Sequence, residues 1–209
     1  MFSLTSVPRW VRKLQPSELI WDFEIESVKD VYLTFDDGPT PDVTPFVLDC
    51  LKAYEAKATF FCIGKNVIEQ PELYDRILQE GHRIGNHTQD HLNGWKTSAK
   101  EYLKNVSEAE KYINSTLFRP PYGRIKRSQV KKLLQHQPDF KIIMWSVLSR
   151  DYEQDLSPED TLENVIFNIK PGAVVVFHDS VKAQKNMKYA LPRTLEHIKN
   201  HNWNAVSIS

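Results

Sequence analysis

Val31-Tyr32-Leu33-Thr34-Phe35-Asp36-Asp37-Gly38-Pro39 is the stretch on which the fold turns. Its first five residues, β-branched, aromatic and apolar, read as a strand, and Asp-Asp-Gly-Pro ends it with strong turn formers. No glycine-rich phosphate loop follows, which disfavours a nucleotide-binding open sheet from its first turn. From here onward, short β-branched and aromatic runs alternate with segments of helical period. The expected strands are 31–35, 58–64, 82–86, 117–119, 141–147, 173–178 and 203–208. Between them the pattern predicts helices over 42–54, 71–80, 98–115, 127–136, 158–169 and 192–200. Ser157-Pro158 supplies a cap before a first-turn proline, and Gly81 closes the helix before it. A helix between each pair of strands requires parallel pairing through right-handed crossovers. The two architectures compatible with this are a closed or nearly closed α/β barrel and an open doubly wound sheet; the Asp-Asp-Gly-Pro turn favours the barrel.

Working outward, the 209 residues carry 27 Lys+Arg and 27 Asp+Glu, for a formal net charge of zero. That balance gives no pull toward nucleic acid or an anionic membrane. The longest apolar run, from Ala173 to Phe177, is far too short to span a bilayer. No repeat, charge block or linker divides the chain, so one domain is expected over 31–209. Residues 1–30 lack clean periodicity but include Trp10, Ile20, Trp21 and Phe23, and are expected to form an N-terminal arm packed on that domain. Two cysteines, Cys50 and Cys62, are too few for a disulfide scaffold and are expected to be reduced and buried. Charged residues interrupt any secretory leader near the N-terminus. A cytoplasmic location is therefore expected if Met1 is the native start, and an extracytoplasmic one if the chain has been trimmed.

Polar residues gather just after the strands, where parallel α/β folds place their sites. Asp36 and Asp37 follow the first strand, His87-Thr88-Gln89-Asp90-His91 the third, and Arg119-Pro120-Pro121-Tyr122-Gly123 the fourth. Asp151 and Tyr152 follow the fifth, and the sixth ends at His178. The i, i+4 spacing of His87 and His91 lets one helical turn or a tight loop aim both imidazoles at one ion. Such a spacing occurs by chance on many helices, but a neighbouring carboxylate would complete a two-His, one-carboxylate set suited to Zn²⁺, Fe²⁺, Mn²⁺ or Co²⁺. Adjacent aspartates also make an ordinary turn, yet their mutual repulsion is best explained by a cation at one of them. The two prolines after Arg119 stiffen its loop and suit a held guanidinium. His178 ends a buried apolar strand, where Asp151 could orient it.

These motifs resemble, in order, those of the NodB-homology polysaccharide deacetylases, the fourth carbohydrate esterase family. The resemblance rests on Thr34-Phe-Asp-Asp-Gly-Pro39, His87-Thr-x-x-His91, Arg119-Pro-Pro-Tyr-Gly123, Asp151 and the strand ending in His178, and it covers residues 31 to about 208. It implies a distorted (β/α) barrel with about seven parallel strands, and an enzyme removing N-acetyl, or sometimes O-acetyl, groups from an acetylated glycan or amino sugar. It further implies a divalent metal, zinc first, held by Asp37, His87 and His91. Asp36 would be the general base with Arg119 as its ion-pair partner. His178 would be the acid, oriented by Asp151, and the Tyr122 backbone N–H would face the oxyanion.

The sequence departs from the family pattern where that pattern shapes the acyl pocket. Leu148 replaces the first aspartate of the fourth motif, Tyr152 replaces its tryptophan, and Val176 replaces the leucine of the fifth. The same barrel acting on a non-sugar amide or cyclic imide is therefore the alternative activity, and a non-catalytic glycan-binding module the alternative without chemistry. Trp95 could stack on a sugar face or pack under its own loop.

Overall fold

A computed structural model describes residues 5, 8–12, 14–23 and 29–209. Along the chain it contains α1 (Arg9–Arg12), β1 (Leu19–Ile20), β2 (Asp30–Asp36), α2 (Thr44–Ala53), β3 (Thr59–Cys62), α3 (Gly64–Glu69) and α4 (Pro71–Gln79). There follow β4 (Arg83–Asn86), α5 (Ala99–Glu110), β5 (Leu117–Phe118), α6 (Arg127–His136), β6 (Lys141–Ile143) and β7 (Val147–Leu148). The remainder is α7 (Pro158–Ile166), β8 (Val174–His178), α8 (Gln184–Asn200) and β9 (Asn204–Ala205).

The strands form one parallel sheet in the order β1-β6-β5-β4-β3-β2-β8-β7, with β9 beside the start of β2. It curls into a distorted, incomplete (β/α) barrel. Side-chain alternation sorts its two faces. Leu33, Phe35, Phe60, Val175 and Phe177 pack outward with α2 and α8 residues such as Leu48 and Met187. Phe118 and Ile142 pack outward with Tyr102 of α5 and Leu133 of α6. The alternate positions Phe61, Leu117, Ile143 and Val174 fill the inside. By the same alternation, Thr34 and Asp36 of β2 are on the inner side. Burial of Leu33 and Phe35 on the outer face thus sets Asp36 on the inner side of the barrel.

Several expected elements differ, among them the strand expected over 203–208, which is only β9, and the helix expected over 158–169, which ends at Ile166. The strand expected over 141–147 is two short strands in different parts of the sheet, β6 beside β5 and β7 beside β8. The break at Met144-Trp145-Ser146 comes where the carbonyls of Ile143 and Met144 accept hydrogen bonds from Arg119 at 3.1 and 2.9 Å. The strand expected over 58–64 stops at Cys62, because Gly64 opens α3, absent from the expected helices. The helix expected over 98–115 ends at Glu110, after which the buried Ile113 turns into the core. The last helix begins at Gln184, not at Pro192, and carries Pro192 inside it. Its buried face, Met187, Ala190, Leu191 and Leu195, holds it together across the missing amide donor.

Within the N-terminal segment, β1 pairs with β6, and Met144 N–H donates to Ile20 C=O at 2.7 Å. Phe23 N–H donates to Gly172 C=O at 2.9 Å, and Arg127 Nη2 donates to Leu14 C=O at 2.8 Å. Cys62 is buried and Cys50 half-buried, and neither is in a disulfide. Among the described residues, no helix is long and apolar enough to cross a membrane.

Candidate active site

Asp36 ends β2, in register with Phe61 on one side and His178 on the other. Asp37 leaves the strand in the left-handed region, at φ 79°. Asn66 Nδ2 donates to its carbonyl at 2.7 Å. The turn is fastened from below by Asp179, whose Oδ1 accepts from Gly38 N–H at 3.0 Å and whose Oδ2 accepts from Thr44 Oγ1 at 2.6 Å. A Cβ on Gly38 would lie 1.9 Å from Asp179 Oδ2, so this close approach requires glycine. Burial pushes the Asp179 pKa up to about 8.

His87 and His91 come from the loop after β4. It is a tight loop and not a helical turn: Thr88 and His91 have φ of 65° and 56°. Asn86 Oδ1 accepts from Thr88 N–H at 2.8 Å, and Thr88 Oγ1 accepts from Leu92 N–H at 3.2 Å. His87 Nδ1 lies 2.8 Å from Arg119 C=O, which turns Nε2 toward the carboxylates. Asp37 Oδ1 is 3.7 Å from His87 Nε2 and 3.1 Å from His91 Nε2, yet it is buried without a well-directed hydrogen bond. One ligating atom from each of Asp37, His87 and His91 lies within 4.8 Å of the others. Three lone-pair donors turned on one another, one of them orphaned, fit a divalent cation. Burial lowers the His87 pKa to about 4, leaving it a neutral ligand. Burial alone would raise the Asp37 pKa, but the His91 contact and the charges of His178, His87 and His91 hold it below the usual carboxylate range.

Arg119 is fully buried inside the barrel. Its Nη1 donates to Asp36 Oδ1 and to Thr34 Oγ1, each at 2.7 Å. Its Nε and Nη2 take the two β6-end carbonyls, and the guanidinium lies 4.1 Å from the Phe61 ring centroid. Every face of the charge is therefore occupied, as a buried ion requires. Opposite, Asp151 Oδ1 lies 2.7 Å from His178 Nδ1 and its Oδ2 accepts from His178 N–H at 2.8 Å. Burial would lower the His178 pKa, but the charge and hydrogen bond of Asp151 raise it to about 9.

Asp36, Asp37, His87, His91 and His178 open on one cleft of about 500 Å³, whose walls include Tyr122, Leu148, Tyr152 and Val176. Arg119 and Asp151 lie beneath, each bonded to a cleft residue. The Tyr122 phenol lies 3.1 Å from His91 Nδ1, and the Tyr152 ring is edge-on to His178 with centroids 5.0 Å apart. Trp95 is not on the cleft wall. It is 58% exposed, its Nε1 donates to Ile125 C=O at 3.3 Å, and the Arg124 guanidinium lies 5.2 Å from its ring centroid. Trp145, Arg124, Ser180 and Lys182 line the cleft without having been singled out from the sequence. Trp145 was hidden inside an apparently continuous strand. Arg124 could have been found as the cation immediately following the Arg119–Gly123 motif.

Fold and site together define a parallel α/β barrel with an open strand-end cleft built from carboxylates and imidazoles. A family profile described as polysaccharide deacetylase matches residues 24–139. A peptidoglycan-N-acetylglucosamine deacetylase of Bacillus cereus is 32% identical over 206 residues, covering 95% of each chain. The chain belongs to the polysaccharide deacetylase family, of NodB-homology type. A second Bacillus cereus protein of the same name is 39% identical over 157 residues, and this chain covers 72% of its own length and 56% of that relative's. Among solved structures, a peptidoglycan N-acetylglucosamine deacetylase in complex with 4-naphthalen-1-yl-N-oxidanyl-benzamide aligns with TM-score 0.83 and 31% identity, over 97% of this chain and 95% of that one. A wild-type pseudoenzyme of carbohydrate esterase family four from Bacillus anthracis aligns with TM-score 0.80 and 26% identity, over 95% and 69%. A shared fold in this family therefore does not by itself establish catalysis, which depends on the side chains of the site.

Proposed function

We propose that this chain is a divalent-metal-dependent hydrolase that removes N-acetyl groups from a glycan or amino sugar. The observation that carries the reading is the convergence of Asp36–Arg119, Asp37–His87–His91 and Asp151–His178 on one cleft. Asp37, His87 and His91 would hold the metal, and their one-carboxylate, two-imidazole donor set suits zinc first. Bound there, a divalent cation supplies Lewis acidity, which lowers the pKa of water and polarises an acyl carbonyl.

The protein's own groups supply the proton transfers. Arg119 occupies Asp36 Oδ1, leaving Oδ2 to take the proton from the attacking water. Asp151 occupies His178 Nδ1, leaving Nε2 to deliver a proton to the departing amine. The Tyr122 backbone N–H, in a proline-stiffened turn, would donate to the oxyanion. Leu148, Val176, Tyr152 and Trp145 wall the space for the acetyl methyl.

The acid role requires charged His178, so the alkaline limb of the pH–rate profile should fall near pH 9. In Asp151→Asn, the largest opposition to burial is gone and only the charges of Asp37 and Asp36 still raise the His178 pKa, so the limb should move to lower pH. A limb that stays in place would remove His178 from the acid role. Because its folded pKa is raised, His178 stabilises the fold fully below that ordinary value, and the contribution disappears as pH rises through about 9. The reading is tested by measuring acetate released by zinc-loaded protein from N-acetylated chito-oligosaccharides and from a panel of simple acyl amides. Release from the sugars above the amides is expected. Release from the amides alone would reassign the substrate.

A further inference from the structure

β6 and β7 lie near opposite ends of the strand order, so the three residues between them, Met144, Trp145 and Ser146, cross the seam left open by the incomplete barrel. A second segment crosses the same seam. Leu19 and Ile20 pair with β6, whereas Asp22 bridges to Ala173 and Phe23 N–H donates to Gly172 C=O, both just before β8. Trp21 lies between these anchors, and its ring meets that of Trp145 edge-on, with centroids 6.5 Å apart. Trp145 lines the cleft, and Trp21 is not on the cleft wall.

The backbone on either side of Trp145 is tied. Met144 N–H donates to Ile20 C=O at 2.7 Å, and Ser146 N–H donates to Val174 C=O at 3.0 Å. These bonds fix the main chain but leave the direction of the indole to its neighbours. One neighbour is Gly123, at φ 64°, where a Cβ would collide with the Trp145 ring. The turn that carries Tyr122 therefore rests on the indole. The other is Trp21, whose Nε1 is buried without an acceptor. An orphaned N–H costs free energy, so ring packing and not hydrogen bonding places Trp21 there. Arg12, ion-paired to Asp22, adds a cation 5.9 Å from the Trp21 ring centroid.

We propose that Trp21 is a positioning residue for the acyl site. It holds Trp145 between itself and Gly123, and so sets both the depth of the acetyl pocket and the seat of the Tyr122 turn. The crossing at 19–23 thereby belongs to the active-site architecture. Without Trp21, the Trp145 indole can tilt into the vacated space, which deepens the pocket and loosens the turn. This inference rests on the deacetylase reading of the same cleft. Its measurable consequence is acyl-chain selection, because a closely walled apolar pocket rejects an extra methylene by roughly 10- to 200-fold.

The test compares N-acetylated with N-propionylated chito-oligosaccharide as substrates of the zinc-loaded protein, and acetohydroxamate with propionohydroxamate as ligands by calorimetry. Ratios of kcat/KM and of Kd do not depend on how much of a variant is folded, so lost stability alone does not move them. The unmodified protein should prefer the acetyl member of each pair by at least about tenfold. Trp21→Ala should bring both preferences to within about threefold, and should lower kcat on the acetyl substrate with little change in KM. Trp21→Phe, which keeps a ring and removes the orphaned N–H, should retain the preferences. Unchanged ratios in Trp21→Ala, or their loss in Trp21→Phe, would overturn the proposal. If neither glycan releases its acid, the deacetylase reading falls, while the hydroxamate pair still decides whether Trp21 sets the pocket. Hydroxamates that fail to bind the unmodified protein, or bind it equally, would overturn the proposal as well.

Discussion

Asp36→Asn should bind divalent metal at wild-type stoichiometry and lose about 10²–10⁴-fold of turnover, the usual contribution of a positioned acid or base. The substitution deletes the basic oxygen and the charge that balances Arg119, while keeping the side chain's shape and one acceptor. An amide oxygen can still accept from Arg119 Nη1, which also has Thr34 Oγ1, and the Ile143 and Met144 carbonyls still receive Nε and Nη2. Asp36→Ala would remove that acceptor together with the counter-charge, at a cost of about 3–5 kcal/mol. The asparagine variant therefore separates chemistry from folding, and a thermal melt read beside metal content and turnover checks that it does. Wild-type turnover in a folded, metal-loaded Asp36→Asn protein would exclude Asp36 as the base.

His91→Ala should lose metal and activity together. His91 Nε2 approaches Asp37 Oδ1 at 3.1 Å, and its other ring nitrogen lies 3.1 Å from the Tyr122 phenol. Its side chain is only partly buried, so truncation leaves little cavity and the barrel should stay folded. Losing one of three ligands should weaken the ion by more than the roughly 10- to 100-fold that loss of a supporting partner costs. Equilibrium dialysis against zinc, with acetate release on the same samples, reads both quantities. Unchanged metal affinity would place the ion elsewhere. Metal loss here and metal retention in Asp36→Asn would divide the paired aspartates into ligand and base.

The core strands were legible because hydrophobic runs and strand ends carry local signals. In β2, the outward Leu33 and Phe35 fix the inward Thr34 and Asp36 through alternation, and Gly81 and the Ser157 cap mark helix ends in their own sequence. Elements set by distant partners were not legible. Lys141 to Val147 reads as one strand because nothing nearby reveals that Arg119, more than twenty residues earlier, takes two of its carbonyls. The two-residue β1 has no periodicity to detect and exists through its pairing with β6. Pro192 reads as a helix start, whereas the packing of Met187, Ala190 and Leu191 extends the helix to Gln184.

At the site, the residues whose chemistry is uncommon in a loop stood out: paired aspartates, spaced histidines and an arginine before two prolines. The role of Asp179 has no local signal, because only the fold brings Gly38 and Thr44 to its two oxygens. Trp145, Arg124 and Lys182 reach the cleft through loop paths that no local pattern encodes.

The central claim is that Asp37, His87 and His91 hold a divalent ion with which Asp36 and His178 hydrolyse an N-acetyl group on a glycan. It is tested most directly by titrating zinc into chelator-treated protein while measuring acetate released from an N-acetylated oligosaccharide. The predicted result is negligible release without metal, rising to a plateau at one equivalent per chain. Release that is indifferent to the chelator, or no release once zinc is bound, would contradict it.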